Sequence, residues 1–213
     1  MDLQPATTFL RSLLLCASLA SGSALAAEFE SNACDISDQY SDLTGTDLLR
    51  AAKQGHVSAQ FSLALNYDEG DEGFKQDLKK SAHWYQEAAE QGHVCSQFNL
   101  ALAYEQGKGV EKDLEKAFYW YTQSAERGDS DAQYNLAVCY EESTGTEQDY
   151  EKALMWYRRS ADQGDPDAQF EVGNFYAKGL GLEVDSEQAR EWYKKAADQG
   201  HEGAFEALET LQD

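Results

Sequence analysis

The stretch Asp131-Ala132-Gln133-Tyr134-Asn135-Leu136-Ala137-Val138-Cys139-Tyr140 decides how this chain folds. Ala132, Leu136 and Tyr140 stand four apart, which places them on one face of a helix. The pattern has copies before and after it, at Ala59-Gln60-Phe61, Ser96-Gln97-Phe98 and Ala168-Gln169-Phe170. Ahead of each copy a string close to Ala-Ala-x-Gln-Gly ends at Gly55, Gly92, Gly128, Gly164 and Gly200, with spacings of 37, 36, 36 and 36 residues. All 4 tryptophans, Trp84, Trp120, Trp156 and Trp192, stand eight residues before the last four of these glycines. A tyrosine follows each, at Tyr85, Tyr121, Tyr157 and Tyr193. Further columns hold Tyr67, Tyr104, Tyr140 and Tyr176, then Asp77, Asp113, Asp149 and Asp185. A fixed period of this length marks a stack of identical small units.

Each unit reads as two helices. The first runs from just after the repeat glycine to the tyrosine column, with Pro166 in a first turn behind its cap Asp165. A Gly-containing turn such as Gly107-Lys108-Gly109 follows. The second helix starts at the aspartate column, where a short carboxylate accepts from first-turn N–H groups. The repeat glycine ends it, because that position favours left-handed backbone. Unit one carries an extra residue in the turn 68–73. Unit three has Ser143 where the others have glycine, which predicts a slightly distorted turn. One unit cannot bury both of its faces, whereas stacked neighbours can. Residues 47–52 match only a second helix and Ala204, Leu208 and Gln212 only a first, as half-unit caps with polar outer faces would. The tryptophan column is expected to fill gaps between layers.

Hydrophobic residues make up 42% of the 213 and only 2 prolines occur, which suits uninterrupted helices. The net charge of −22 opposes nucleic-acid and anionic-lipid binding and favours a partner carrying basic residues. Leu13–Ala20 is a short apolar run, and Ala24-Leu25-Ala26 has the small-x-small spacing of a signal-peptidase site. Residues 1–26 are therefore expected to be a signal peptide, 27–46 a polar segment and 47–213 the repeat array. The product is expected to be exported, periplasmic or secreted, with no membrane span. Cleavage leaves Cys34, Cys95 and Cys139, enough for at most one internal disulfide and one free thiol. Cys34 with Cys95 would staple the N-terminal segment to the array, although sequence does not fix the connectivity. Cys139, beside Tyr140, reads as a small buried residue.

These columns resemble the Sel1-like repeat family, relatives of the tetratricopeptide repeats. The match lies in Ala-Gln-Phe/Tyr-x-Leu-Ala-x-x-Tyr, Gly-x-Gly, Asp, Lys-Ala-x-x-Trp-Tyr and Ala-Ala-x-Gln-Gly. The resemblance implies an all-α, right-handed α/α superhelical solenoid of about four helix-pair repeats with half-repeat caps. It implies scaffolding and protein–protein contact. In the tetratricopeptide fold first helices line the concave surface, which would turn two columns inward: Phe61, Phe98, Tyr134 and Phe170, then Leu65, Leu102, Val138 and Asn174. A rim column follows with Asp68, Glu105, Glu141 and Ala177. Together they suggest an apolar, acid-edged groove for a protein or peptide segment. Two further expectations compete with the groove: that the aromatic column packs between neighbouring first helices, and that the acidic rim is a solvated face.

Catalytic signatures are missing. No G-x-S-x-G, H-E-x-x-H, phosphate-binding Gly-rich loop or S-x-x-K occurs. His56, His93 and His201 directly follow a repeat glycine, one per layer. Layers ~8–10 Å apart cannot bring them to the ~2 Å that zinc requires. No catalytic residue, metal or cofactor is expected. A cysteine-rich branch of the family, associated with penicillin binding and β-lactam hydrolysis, implies a cell-wall or β-lactam hydrolase as one alternative. This chain lacks that branch's paired cysteines within each repeat. A secreted host-interaction factor is the other alternative.

Overall fold

The computed structural model describes residues 45–70 and 73–211, and these form ten helices and no strand. A half-unit, α1 (Gly45–Lys53), precedes four helix pairs. Unit one is α2 (Val57–Glu69) with α3 (Leu78–Glu90), and unit two is α4 (Val94–Gln106) with α5 (Leu114–Ala125). Unit three is α6 (Ser130–Glu142) with α7 (Tyr150–Asp162), and unit four is α8 (Pro166–Lys178) with α9 (Ser186–Asp198). A second half-unit, α10 (Glu202–Thr210), closes the array. Each helix packs mainly on its neighbours in the chain, which makes the architecture a solenoid. The first helix begins at Gly45, two residues ahead of the boundary expected from composition. The signal-peptide reading, Cys34 and part of the unit-one turn lie outside the described residues.

The expected caps are present. Asp77, Asp113, Asp149 and Asp185 each accept backbone N–H groups from the first turn of a second helix. First helices are capped by Asp129 and Asp165 or, in the same column, by Nδ1 of His93 and His201. Ser143 differs from expectation. Its φ of 61° matches the left-handed Gly107 and Gly179, and its hydroxyl donates to Thr146 O, so the turn keeps the geometry of its neighbours.

The core is one layer of small and branched residues per unit. Leu63, Leu100, Leu136 and Val172 occupy one first-helix column and all are fully buried. Burying each of these side chains contributes about 1.5–3 kcal/mol before entropy. Alanines at 64, 101 and 137 let the helices approach, and Gly173 takes the same column in unit four. There a Cβ would stand 2.5 Å from the Tyr193 ring. Trp156 and Trp192 are buried and Trp84 and Trp120 half-buried, which bears out the packing role of that column.

Glutamines clamp the two helices of a unit together. Gln91, Gln163 and Gln199 donate through Nε2 to the Oε1 atoms of Gln60, Gln133 and Gln169 at 2.7–2.9 Å. In unit two Arg127 stands in this column, and its guanidinium donates to Gly92 O. The C-terminal half-unit departs from the polar outer face expected of a cap, because Phe205 takes the glutamine column and is 52% exposed.

Candidate protein-binding face

The first helices place the predicted columns in order along the array, and the contacts show how each is used. The aromatic column packs on its own unit's second helix and, at Phe61 and Phe170, also against the start of the next first helix, as expected of a column lying between first helices. Each ring is fastened to the tyrosine of its own unit's second helix: Phe61 to Tyr85, Phe98 to Tyr121, Tyr134 to Tyr157 and Phe170 to Tyr193, at 5.4–6.1 Å between centroids. His93 and His201, the caps of the next first helices, lie against Phe61 and Phe170 at 4.6 and 4.5 Å. Phe61 and Tyr134 are buried by these contacts, whereas Phe98 and Phe170 keep part of their surface. In the second column Val138 is buried, and Leu65, Leu102 and Asn174 are half-buried.

The acidic column is not a solvated rim. Glu105 is only 6% exposed and accepts a hydrogen bond from the Tyr121 hydroxyl at 2.9 Å. Glu141 accepts from Tyr157 at 2.8 Å. Desolvation pushes both carboxyls above the usual range, and the tyrosine bonds only partly offset it. In unit four Ala177 supplies no carboxylate. Asn174, one turn earlier, accepts from Tyr193 at 2.8 Å and donates to Glu171 at 3.0 Å. Asp68 in unit one is one methylene shorter, and the Tyr85 hydroxyl is left without the corresponding bond.

Sequence reading passed over the column Ser62, Asn99, Asn135 and Glu171. It stands three residues before Leu65, Leu102, Val138 and Asn174, which makes the two columns neighbours on the helix surface. Asn135 is 1% exposed, yet neither its amide oxygen nor its amide nitrogen has a hydrogen-bond partner. Ser62 Oγ is in the same condition. The available signal was a polar residue repeated at a fixed place on an otherwise apolar face.

Cys139 is a buried free thiol whose pKa burial pushes up to about 12, which removes it as a nucleophile. Cys95, in the first turn of α4, is disulfide-bonded. Among the described residues no group of three or more His, Cys, Asp or Glu could hold a metal ion. No described helix is long and apolar enough to cross a membrane.

The Sel1 repeat model matches residues 57–93, 96–129, 130–165 and 166–201, unit for unit with the helix pairs. The chain belongs to the Sel1 repeat family. Its fold is similar to that of a protective antigen present in uropathogenic Escherichia coli strains, at 38% identity and a TM-score of 0.69. That match covers 72% of this chain and 33% of the other. It is also similar to a Sel1 repeat protein from Oxalobacter formigenes, at 32% identity and a TM-score of 0.68, over 78% of this chain and 66% of the other. The chain thus spans a third of the first relative and about two thirds of the second. Cysteine-rich protein B of Helicobacter pylori, at 24% identity and a TM-score of 0.50, shares the fold alone. No curated protein matches the chain. Sel1 repeats commonly mediate protein–protein interaction, and Sel1 scaffolds are typically not enzymes.

Proposed function

We propose that this Sel1 repeat protein is an exported adaptor that binds a segment of a partner protein across its first-helix face. One observation carries the reading. Phe98, Leu65, Leu102 and Phe170 recur at equivalent places, half-exposed, among the carboxyls of Asp68, Glu141 and Glu171. A row of partly open apolar sites between acids suits a peptide whose apolar residues alternate with lysine or arginine. The export half of the proposal is supported by the apolar run and small-x-small site at the N-terminus.

The test is cross-linked co-purification of the mature protein from its own envelope and medium fractions, with mass spectrometry of what is captured. The comparison protein carries Leu65→Lys and Leu102→Lys, with circular dichroism verifying its helices. A partner lost by the folded variant supports the adaptor and its site. A partner kept by it moves the site to the second helices, and capture of nothing by either protein removes the adaptor reading.

The likeness to a protective antigen favours one second reading, a secreted factor acting on a host protein. Finding the protein confined to the periplasm would count against that version. No observation favours the hydrolase alternative.

A further inference from the structure

We propose that the second-helix face of this chain is a self-association surface, on which two copies meet about a two-fold axis crossing α5 and α7 at the level of Tyr119 and Met155.

Charge decides which face can meet a copy of itself. The first helices α2, α4, α6, α8 and α10 carry eleven carboxylates and one basic residue, Lys178. The second helices α1, α3, α5, α7 and α9 carry nine carboxylates and eleven lysines or arginines. Two first-helix faces therefore repel, whereas two second-helix faces are close to neutral. Among the described residues four large hydrophobic side chains are exposed, and two of them stand on adjacent second helices. Tyr119 on α5 is 53% exposed and Met155 on α7 is 40% exposed. They are 36 positions apart, one repeat, and so lie at one level in neighbouring layers.

A contact between identical faces needs a surface that is complementary to itself. The charges around Tyr119 and Met155 have that property. Four residues before this level stand Lys79 on α3, Glu151 on α7 and Glu187 on α9, and four residues after it stand Glu87, Arg159 and Lys195. Positions four apart share a helix face, here ~6 Å to either side of the midpoint. A two-fold axis running across the helices lays each second helix antiparallel over its own copy. Glu151 then meets Arg159 of the second copy, Lys79 meets Glu87, and Glu187 meets Lys195. On α5 the same two positions hold Glu115 and the neutral Gln123, which neither attract nor repel. All six paired side chains are exposed, and among the described residues none has an ion-pair partner in its own chain. Two of the cations are held at the face by tryptophans, Arg159 over Trp156 at 4.3 Å and Lys195 over Trp192 at 3.5 Å.

Tyr119 and Met155 of both copies form the apolar centre, with thioethers beside rings. Glu191 takes the same level on α9 and would face its own copy, which centres the contact on α5 and α7. A face ~20 Å high and about three helices, ~30 Å, wide buries ~600 Å² of each copy, the low end for a specific interface. The dimer is accordingly weak, half-associated on the order of 10–100 µM. It leaves the first-helix face of both copies open, so the inference does not rest on the adaptor reading.

The experiment is sedimentation equilibrium of the mature protein from ~5 to ~500 µM, a range that brackets that affinity. Circular dichroism verifies the helices of each variant. The unaltered chain should show monomer and dimer in equilibrium. Tyr119→Glu combined with Met155→Glu should weaken association ~10-fold or more. Glu151→Arg alone and Arg159→Glu alone should each weaken it ~5–10-fold, because each sets like charges together at two symmetric places. Glu151→Arg with Arg159→Glu rebuilds both pairs and should recover the original association within ~2-fold. Only the antiparallel register makes that recovery. A monomer throughout the range would overturn the proposal. So would a dimer that the Tyr119 and Met155 changes leave intact, or a double reversal as weak as the single ones. Leu65→Lys with Leu102→Lys should leave the dimer unchanged, and dissociation by that folded variant would overturn the second-helix assignment.

Discussion

Unit one and units two and three are built from the same columns but close differently. In units two and three the second-helix tyrosine ends on a buried glutamate, Tyr121 on Glu105 and Tyr157 on Glu141. In unit one the matching pair is Tyr85 and Asp68, and the shorter side chain does not complete the bond. The turns differ too. A Cβ on Gly109 would stand 1.9 Å from Leu78 O, and one on Gly145 2.1 Å from Leu114 O, because each inner turn rests on the second helix of the unit before it. Gly73, in the turn of unit one, meets nothing within 4 Å. The inner units are thus closed by contacts that unit one lacks.

The largest expected effect separates these turns. Gly145→Ala must shift backbone against backbone as well as adopt positive φ, and should cost about 3 kcal/mol or more. Gly73→Ala has only the conformational cost, about 1–2 kcal/mol. Urea unfolding of both variants checks the ratio, and equal losses would show that the close approach is relieved at little cost. Next comes the hydroxyl. Tyr121→Phe leaves Glu105 buried with its bond missing and should cost about 1.5–3 kcal/mol. Tyr85→Phe removes a hydroxyl that is not bonded to its acid and should be close to neutral. A cost of similar size at Tyr85 would mean that unit one closes as its neighbours do.

The smallest effect sharpens the comparison through pH. Glu105, Glu141 and Glu171 hold their protons more tightly folded than unfolded because burial disfavours their charged forms. Their stabilising contribution is therefore complete at low pH. It falls away as pH rises from the ordinary carboxylate range near ~4 through their raised folded values. Asp129, pushed up to about 7 by desolvation, extends that window to neutrality. The exposed caps Asp77, Asp113 and Asp149 are held low by their bonds to Lys80, Lys116 and Lys152, and their contribution is lost as pH drops through the acid range. Tm should thus be higher at pH 5 than at pH 8. Glu105→Gln and Glu141→Gln together should flatten that slope, and an unchanged slope would assign it to the net charge alone.

The array was legible because its signals are local and periodic. Capping aspartates, left-handed glycines and the Trp-Tyr pair each report on residues within one turn of themselves, and repetition multiplies them. The binding face was less legible because its residues serve two purposes. Phe61 and Glu105 have the positions of groove-lining residues, yet each is partly consumed by a tyrosine from the second helix, at a spacing that helical periodicity does not reveal. Unit four shows the difficulty most plainly. Ala177 predicts that the polar contact is lost, but Asn174 restores it from one turn away. Ser143 shows the converse, since composition predicted a distorted turn and its hydroxyl bond to Thr146 O preserved the regular one.

The glutamine bridges set how this chain can lengthen or shorten over generations. Each first-helix glutamine also donates to a carbonyl at the end of the preceding second helix, Gln133 to Ala125 O and Gln169 to Ala161 O, so this seam ties a unit only to the one beside it and recurs at a 36-residue period. Excising residues 130–165 would bring Pro166 to the place of Ser130 and Gln169 to that of Gln133, with Asp129 still the cap and Gln169 placed to reach Ala125 O. Copy number is therefore free to drift by recombination while the fold stays intact.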